Sequence, residues 1–194
     1  MNLSLKPVLT GYSALSIAAV TVFALTIAAV AATADGQALP APGPGSELGV
    51  MLQAGANDLC VDNAGSVRPG TALQGWKCSP RNLNQRFERV RRGKNLAAFR
   101  NKLSGLCIDA GNGTKNNGTK KTGAAVFQAP CAERASQALK IRPLSANGNN
   151  MHFKIHAGHS DLCLQLTGDA KHGSRLIQAR CDSKKTNQKF SFRR

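Results

Sequence analysis

The cysteines of this chain recur in a fixed frame, and that frame limits the fold more than any other feature. They stand as Cys60 and Cys78, Cys107 and Cys131, Cys163 and Cys181, with separations of 18, 24 and 18. Six cysteines allow fifteen pairings, but each of these pairs lies inside one copy of a repeated pattern. Aligned on the first cysteine, LCVD (59–62), LCID (106–109) and LCLQ (162–165) coincide, and Leu52, Phe99 and Ile155 occupy one equivalent upstream position. The intervening turn repeats in wording, AGANDLC from Ala54 and AGHSDLC from Ala157. After the second cysteine come NQRF (84–87), SQAL (136–139) and NQKF (187–190), whose glutamines Gln85, Gln137 and Gln188 close three successive units of about 50 residues. The repeat therefore predicts the pairs Cys60–Cys78, Cys107–Cys131 and Cys163–Cys181.

Pairing cysteines requires an oxidising compartment, and the N-terminus supplies a route to one. Lys6 is the one charge before a long uncharged stretch rich in Ala, Val, Leu and Ile, which ends at AATAD with Ala32 and Ala34 at the small-residue positions of a cleavage site. Residues 1–34 are expected to be a secretory signal, which places the protein outside the cell or in a periplasm. The alternative is an uncleaved anchor, since the stretch is long enough to span a bilayer. Residues 35–46, DGQALPAPGPGS, have too few large apolar side chains to build a core and read as a linker. Residues 47–194 are then one domain, with repeats at 47–93, 94–147 and 148–194.

Within each repeat the apolar runs VML, LAAF, MHFKI and FSF are short and partly alternating, and Gly, Asn, Ser and Pro separate them. They read as strands, and no segment sustains a helical period. A strand-rich unit of about fifty residues cannot close a core alone, so the three must share one. Two Asn-Gly-Thr triplets, 112–114 and 117–119, mark an exposed turn.

On these residues the chain resembles the ricin B-chain type lectins. The resemblance rests on the Leu-Cys-φ-Asp strand, the second cysteine and the Gln-x-Trp motif, here altered to Gln85-Arg86-Phe87, Gln137-Ala138-Leu139 and Gln188-Lys189-Phe190. It implies an all-β fold, a β-trefoil of three repeats with one disulfide in each, and no catalytic function or cofactor. It also explains why the lone tryptophan, Trp76, sits in TALQGWKC: the core position is taken by Phe87, Leu139 and Phe190, and Trp76 falls where such lectins carry a sugar platform. The carbohydrate site implied for repeat one is Asp62 as hydroxyl acceptor, Gln74 and Asn84 as amide partners, Trp76 as platform and Gln85 as supporting amide, with a galactose-like or N-acetylgalactosamine-like ligand. Neither Trp76 nor Asp62 is expected in the core. Repeat two keeps Asp109 but has Ala129 and Ser136 in place of Trp76 and Asn84. Repeat three keeps Asn187 and Gln188 but has Gln165 and Ala179 in place of Asp62 and Trp76. Both are expected to serve as scaffold.

Other chemistries have less support. His156, His159 and Asp161 lie close in sequence, but they fall on the repeated turn and no fourth ligand stands out, so no metal is expected. No nucleophile elbow, phosphate loop or dinucleotide fingerprint is present. From Asp35 onward 25 Lys and Arg, all but Lys6 of the 26, face 10 Asp and Glu. That balance of about +15 favours polyanions such as anionic polysaccharides, with Arg89, Arg91, Arg92 and Lys94 the densest cluster. Specific nucleic-acid binding is not expected, because no aromatic residues are interleaved with the charge. Two further readings remain: the cell-binding partner of a toxin catalytic subunit, or a basic trefoil that ignores neutral sugars.

Overall fold

In the computed structural model, which describes residues 49–55, 57–111, 119–147 and 150–194, each repeat contributes four short strands. Repeat one holds β1 (Met51–Ala54), β2 (Leu59–Asp62), β3 (Gln74–Lys77) and β4 (Phe87–Gly93). Repeat two holds β5 (Leu96–Asn101), β6 (Cys107–Asp109), β7 (Phe127–Ala129) and β8 (Leu139–Asn147), and repeat three β9 (Asn150–Ala157), β10 (Cys163–Leu166), β11 (Leu176–Ala179) and β12 (Phe190–Arg193). The expected signal and linker lie outside the described residues, as do residues 112–118 of the Asn-Gly-Thr turn. No helix among the described residues is long and apolar enough to cross a membrane.

The first and last strands of each repeat form a closed ring. β1 pairs with β12, β12 with β9, β9 with β8, β8 with β5 and β5 with β4. The circle is completed where Val50 and Phe87 exchange two backbone bonds of 2.8 Å. Closure removes unpaired edges from this layer. The middle strands form three hairpins, β2–β3, β6–β7 and β10–β11.

The hairpins meet on a threefold axis. Leu73 N–H donates to Val126 O, Val126 N–H to Leu176 O and Leu176 N–H to Leu73 O, each at 2.8 Å, and the three side chains are buried there. Phe87, Leu139 and Phe190 fill the core together with Leu52, Phe99 and Ile155. The residues that the repeat pattern equates thus occupy equivalent places. The turn before β2, β6 and β10 bends through a left-handed residue at Asp58, Gly105 and Asp161 (φ 49°, 69° and 58°), a conformation that Gly adopts freely and Asp tolerates better than most residues.

The altered Gln-x-Trp motif keeps its glutamine for a structural reason. Gln85 Nε2 donates to Asp62 Oδ2 and Lys77 O, both at 3.0 Å, and its Oε1 accepts from Ser79 N–H at 2.8 Å. Gln137 does the same with Asp109, Pro130 O and Ala132 N–H, and Gln188 with Gln165 Oε1, Arg180 O and Asp182 N–H. Each glutamine ties the second strand of its repeat to both sides of the second cysteine. The disulfides Cys60–Cys78, Cys107–Cys131 and Cys163–Cys181 close the same three loops covalently, which contributes roughly 3 kcal/mol each in the chain-entropy model. Because Gln137 satisfies the buried Asp109 carboxylate and two backbone groups beside Cys131, Gln137→Ala is expected to lower stability by about 2 kcal/mol or more, measured as a shift in the denaturant midpoint at unchanged slope.

Candidate functional site

The repeat-one site is built on the β2–β3 hairpin, where Asp62 pairs with Gln74 and Cys60 with Trp76. Residues two apart on a strand share a face, as do residues directly opposite. Asp62, Gln74 and Trp76 therefore lie on one face of the hairpin, with Trp76 about 7 Å along it from the Asp62–Gln74 pair. Gly75, between them, turns inward: a Cβ there would lie 2.6 Å from Leu166 Cδ1. This close approach fixes which way its neighbours point.

Trp76 is 44% exposed. Its one ring neighbour among the described residues is His172, edge-on at 4.9 Å between centroids, carried by the loop between β10 and β11 of repeat three. The side-chain amides of Gln74 and Asn84, both half-buried, make no hydrogen bond among the described residues. Gln85 is fully engaged in its clasp.

Asp62 departs from expectation. It is 2% exposed, with Oδ1 accepting from Ala64 N–H at 2.6 Å and Oδ2 accepting from Gln85. It is thus part of the core framework as well as the site face, and the expectation that it lies outside the core is corrected. A carboxylate offers about four acceptor positions, so each oxygen retains one beyond these bonds.

The other repeats lack both ring and free amides. Ala129 and Ala179 hold the Trp76 position and are buried. Asn187, equivalent to Asn84, donates to Leu166 O and Gly168 O, and Ser136 is buried with its hydroxyl unpaired.

The junction beside Trp76 lacks a side-chain bond that the other two junctions have. Gln128 and Gln178, at the register position of Gly75, each reach into the loop of the preceding repeat. Gln128 bonds Ser66 O and Arg68 O, and Gln178 bonds Ala110 O and Thr119 O. Gly75 has no side chain to do this and keeps only the backbone bonds, to Ser174 O and from Gly173 N–H, that Gln128 makes likewise with Thr71 O and Gly70 N–H and Gln178 with Ala124 O and Gly123 N–H. The loop of repeat three is thereby held beside Trp76. His172 carried no signal in the sequence, since it lies about a hundred residues from the tryptophan in a loop outside the repeat's common positions.

Comparison with known proteins agrees with this architecture. A sequence profile of the ricin-type beta-trefoil lectin domain matches residues 96–194, and a related lectin-like profile matches residues 37–122. The chain belongs to the ricin-type β-trefoil lectin family. Among solved structures, this trefoil is similar to ThreeFoil, a designed threefold-symmetric protein, at 21% identity and a TM-score of 0.64, covering 74% of this chain and 96% of that one. It is also similar to an exo-β-1,3-galactanase from Clostridium thermocellum at 20% identity and 0.64, covering 77% of this chain but 30% of the galactanase. The C-half of the earthworm R-type lectin, in complex with GalNAc, matches at 19% identity and 0.52, covering 74% and 95%. No curated protein sequence matches the chain.

Two further places in this lectin fold bear on the sequence-based expectations. A cleft of about 580 Å³ opens in repeat three beside Gln165, Asp169, Lys184 and Asn187, across from Asn57, a feature that the alanine at position 179 gave no reason to expect. The histidine group does not converge: His159 Nε2 turns to Thr119 O, whereas His156 turns to the Cys163–Cys181 sulfurs and to Asp161.

These contacts separate two substitutions that sequence alone treats alike. Trp76→Ala is expected to leave the melting temperature within a few degrees of the parent. Asp62→Ala removes the acceptor of both Ala64 N–H and Gln85 and should cost about 2 kcal/mol or more, seen as a clearly lower melting temperature.

Proposed function

We propose that the protein is a secreted lectin that binds a galactose-like or N-acetylgalactosamine-like residue in repeat one. The observation that carries this reading is the exposed ring of Trp76 on the hairpin face that also carries Gln74 and, beneath it, the buried carboxylate of Asp62. One face of such a sugar is largely C–H and packs on an aromatic ring, while its hydroxyls donate to a carboxylate and exchange hydrogen bonds with amides. Gln74 and Asn84 have their amides free for this, whereas Asn187 in repeat three does not. The earthworm lectin half, complexed with GalNAc, lends the same direction by analogy.

One ring and a few hydrogen bonds give a dissociation constant of order a millimolar, about 4 kcal/mol. A multivalent glycan would then be needed for firm attachment. Trp76→Ala should abolish detectable binding, since loss of about 2 kcal/mol removes much of so small a total. His172→Ala should weaken binding by about 0.5–1.5 kcal/mol, the value of one aromatic contact. Isothermal titration with galactose and N-acetylgalactosamine, alongside melts of each variant, checks both. Unchanged binding in folded Trp76→Ala would mean that the sugar does not sit on this ring.

Charge favours a second mode of attachment. In the basic cluster Arg92 pairs with Glu133 at 3.0 Å and Arg100 takes Glu88 at 2.7 Å, whereas Arg89 lies over the Phe192 ring. Arg89, Arg91 and Lys94 have no acidic partner among the described residues, and Arg89 and Arg91 are on one exposed face of β4. We infer that they attract sulfated or otherwise anionic glycans. Retention on heparin should fall steeply with added salt, because such charges are screened beyond about 8 Å at physiological ionic strength, and Arg89→Ala with Arg91→Ala should reduce it. Sugar binding at Trp76 should change little over the same salt range.

A further inference from the structure

The three disulfides are equivalent by repeat but not by surroundings. Opposite the first cysteine of each pair, on the preceding strand, stand Gln53, Arg100 and His156. A glutamine amide and a guanidinium offer no base, but an imidazole does. His156 is buried against its disulfide, with Nδ1 3.6 Å from Cys181 Sγ and Nε2 3.7 Å from Cys163 Sγ and 4.0 Å from Cys181 Sγ. The outer cysteine also differs: Cys181 is exposed, whereas Cys78 and Cys131 are half-buried.

The hydrogen bonding sets the tautomer. His156 Nδ1 lies 3.1 Å from Asp161 O, and a carbonyl only accepts, so the proton is on Nδ1, the nitrogen nearer Cys181 Sγ, and Nε2 presents its lone pair on the side of Cys163 Sγ. Burial lowers the pKa of His156, which keeps the ring neutral at physiological pH. The bond to Asp161 O and the Asp161 carboxylate oppose this shift, while Arg142 on β8 and Lys154 on β9 reinforce it. Lys140 adds a cation bound to Asp161 at 3.2 Å. The surroundings of this disulfide are thus basic, with an unprotonated nitrogen at its centre.

The geometry points to Cys163–Cys181 as a thiol-exchange site at which a thiol-bearing partner becomes covalently attached to Cys181, with His156 relaying a proton to Cys163. In this step the incoming thiol gives its proton to solvent, since Nε2 flanks the S–S bond on the Cys163 side, away from a thiol attacking Cys181 in line. The resulting thiolate attacks exposed Cys181 Sγ and forms a mixed disulfide. The Cys163–Cys181 bond breaks with its electron pair on Cys163 Sγ, and Nε2, 3.7 Å from that buried sulfur, takes a proton from solvent and passes it on to Cys163. One thiol and one disulfide give one mixed disulfide and one thiol, with no net oxidation. The neighbouring cations favour the departing thiolate and an anionic thiol as partner.

Glutathione, which is both a thiol and an anion, is the probe. The intact protein is mixed with it at limiting concentration, quenched with an alkylating reagent at timed intervals and mapped by mass spectrometry. Cys163–Cys181 should open at least about tenfold faster than Cys60–Cys78 or Cys107–Cys131, with the glutathione adduct on Cys181. His156→Gln, which installs the residue type of repeat one, should slow this bond about tenfold and leave the other two unchanged. Equal rates for the three bonds in the parent protein, or an adduct on Cys163, would overturn the proposal whether or not the variant folds. An unchanged rate in a folded His156→Gln protein would overturn the role of the imidazole.

Discussion

Three backbone hydrogen bonds, from Leu73 to Val126, from Val126 to Leu176 and from Leu176 back to Leu73, join the three hairpins around one axis. Each repeat is too short to bury its own apolar face, so its strands persist only where two neighbours cover them. The ring of bonds makes that covering mutual: no one hairpin is terminal, and every axial N–H and C=O is satisfied by the next repeat. The six-stranded ring beneath follows the same logic, closed by the Val50–Phe87 pair, which joins the start of repeat one to its own end. The disulfides and the three glutamine clasps act within repeats, holding each hairpin at the height at which the axial contacts form.

This division between shared core and private hairpin leaves room for function. Residues at the axis and under the glutamine clasp are equivalent in all three repeats, because a change in one would leave buried groups unpaired in another. Positions on the outer hairpin face carry no such constraint, and there the repeats diverge. Trp76, Ala129 and Ala179 occupy one position, as do Gly75, Gln128 and Gln178. Gly75 lacks the inter-repeat side-chain contact that Gln128 and Gln178 make and keeps the backbone bonds common to all three junctions, and in the adjoining loop His172 meets the edge of Trp76.

Asp62 joins the proposed site to the scaffold. Its carboxylate anchors Gln85 and the turn after β2, so the group assigned to sugar hydroxyls also sets the stability of its own hairpin. Preorganisation follows from this, because a carboxylate held by two internal donors does not need to be ordered when a ligand arrives. The surface charge is organised in the same unequal way. Glu88 and Glu133 neutralise part of the basic β4–β5 hairpin and leave Arg89, Arg91 and Lys94 as its uncompensated portion.

The amino-acid sequence by itself determined the repeat, the disulfide partners, the strand-rich class and the exclusion of Trp76 from the core. These are all carried by residues that recur at fixed spacing, and recurrence is visible in one dimension. Only the tertiary structure decided what depends on neighbours from another repeat or on exposure. The burial of Asp62 follows from a bond to a glutamine beyond the second cysteine, the ring of His172 reaches Trp76 across a junction, and the cleft beside Asn187 lies between turns of two different repeats. The turn of His156 toward a disulfide belongs with them. His156 and His159 look like partners along the chain, but on a strand and the turn that follows it three residues carry the second ring away from the first, and the nearer chemistry became sulfur.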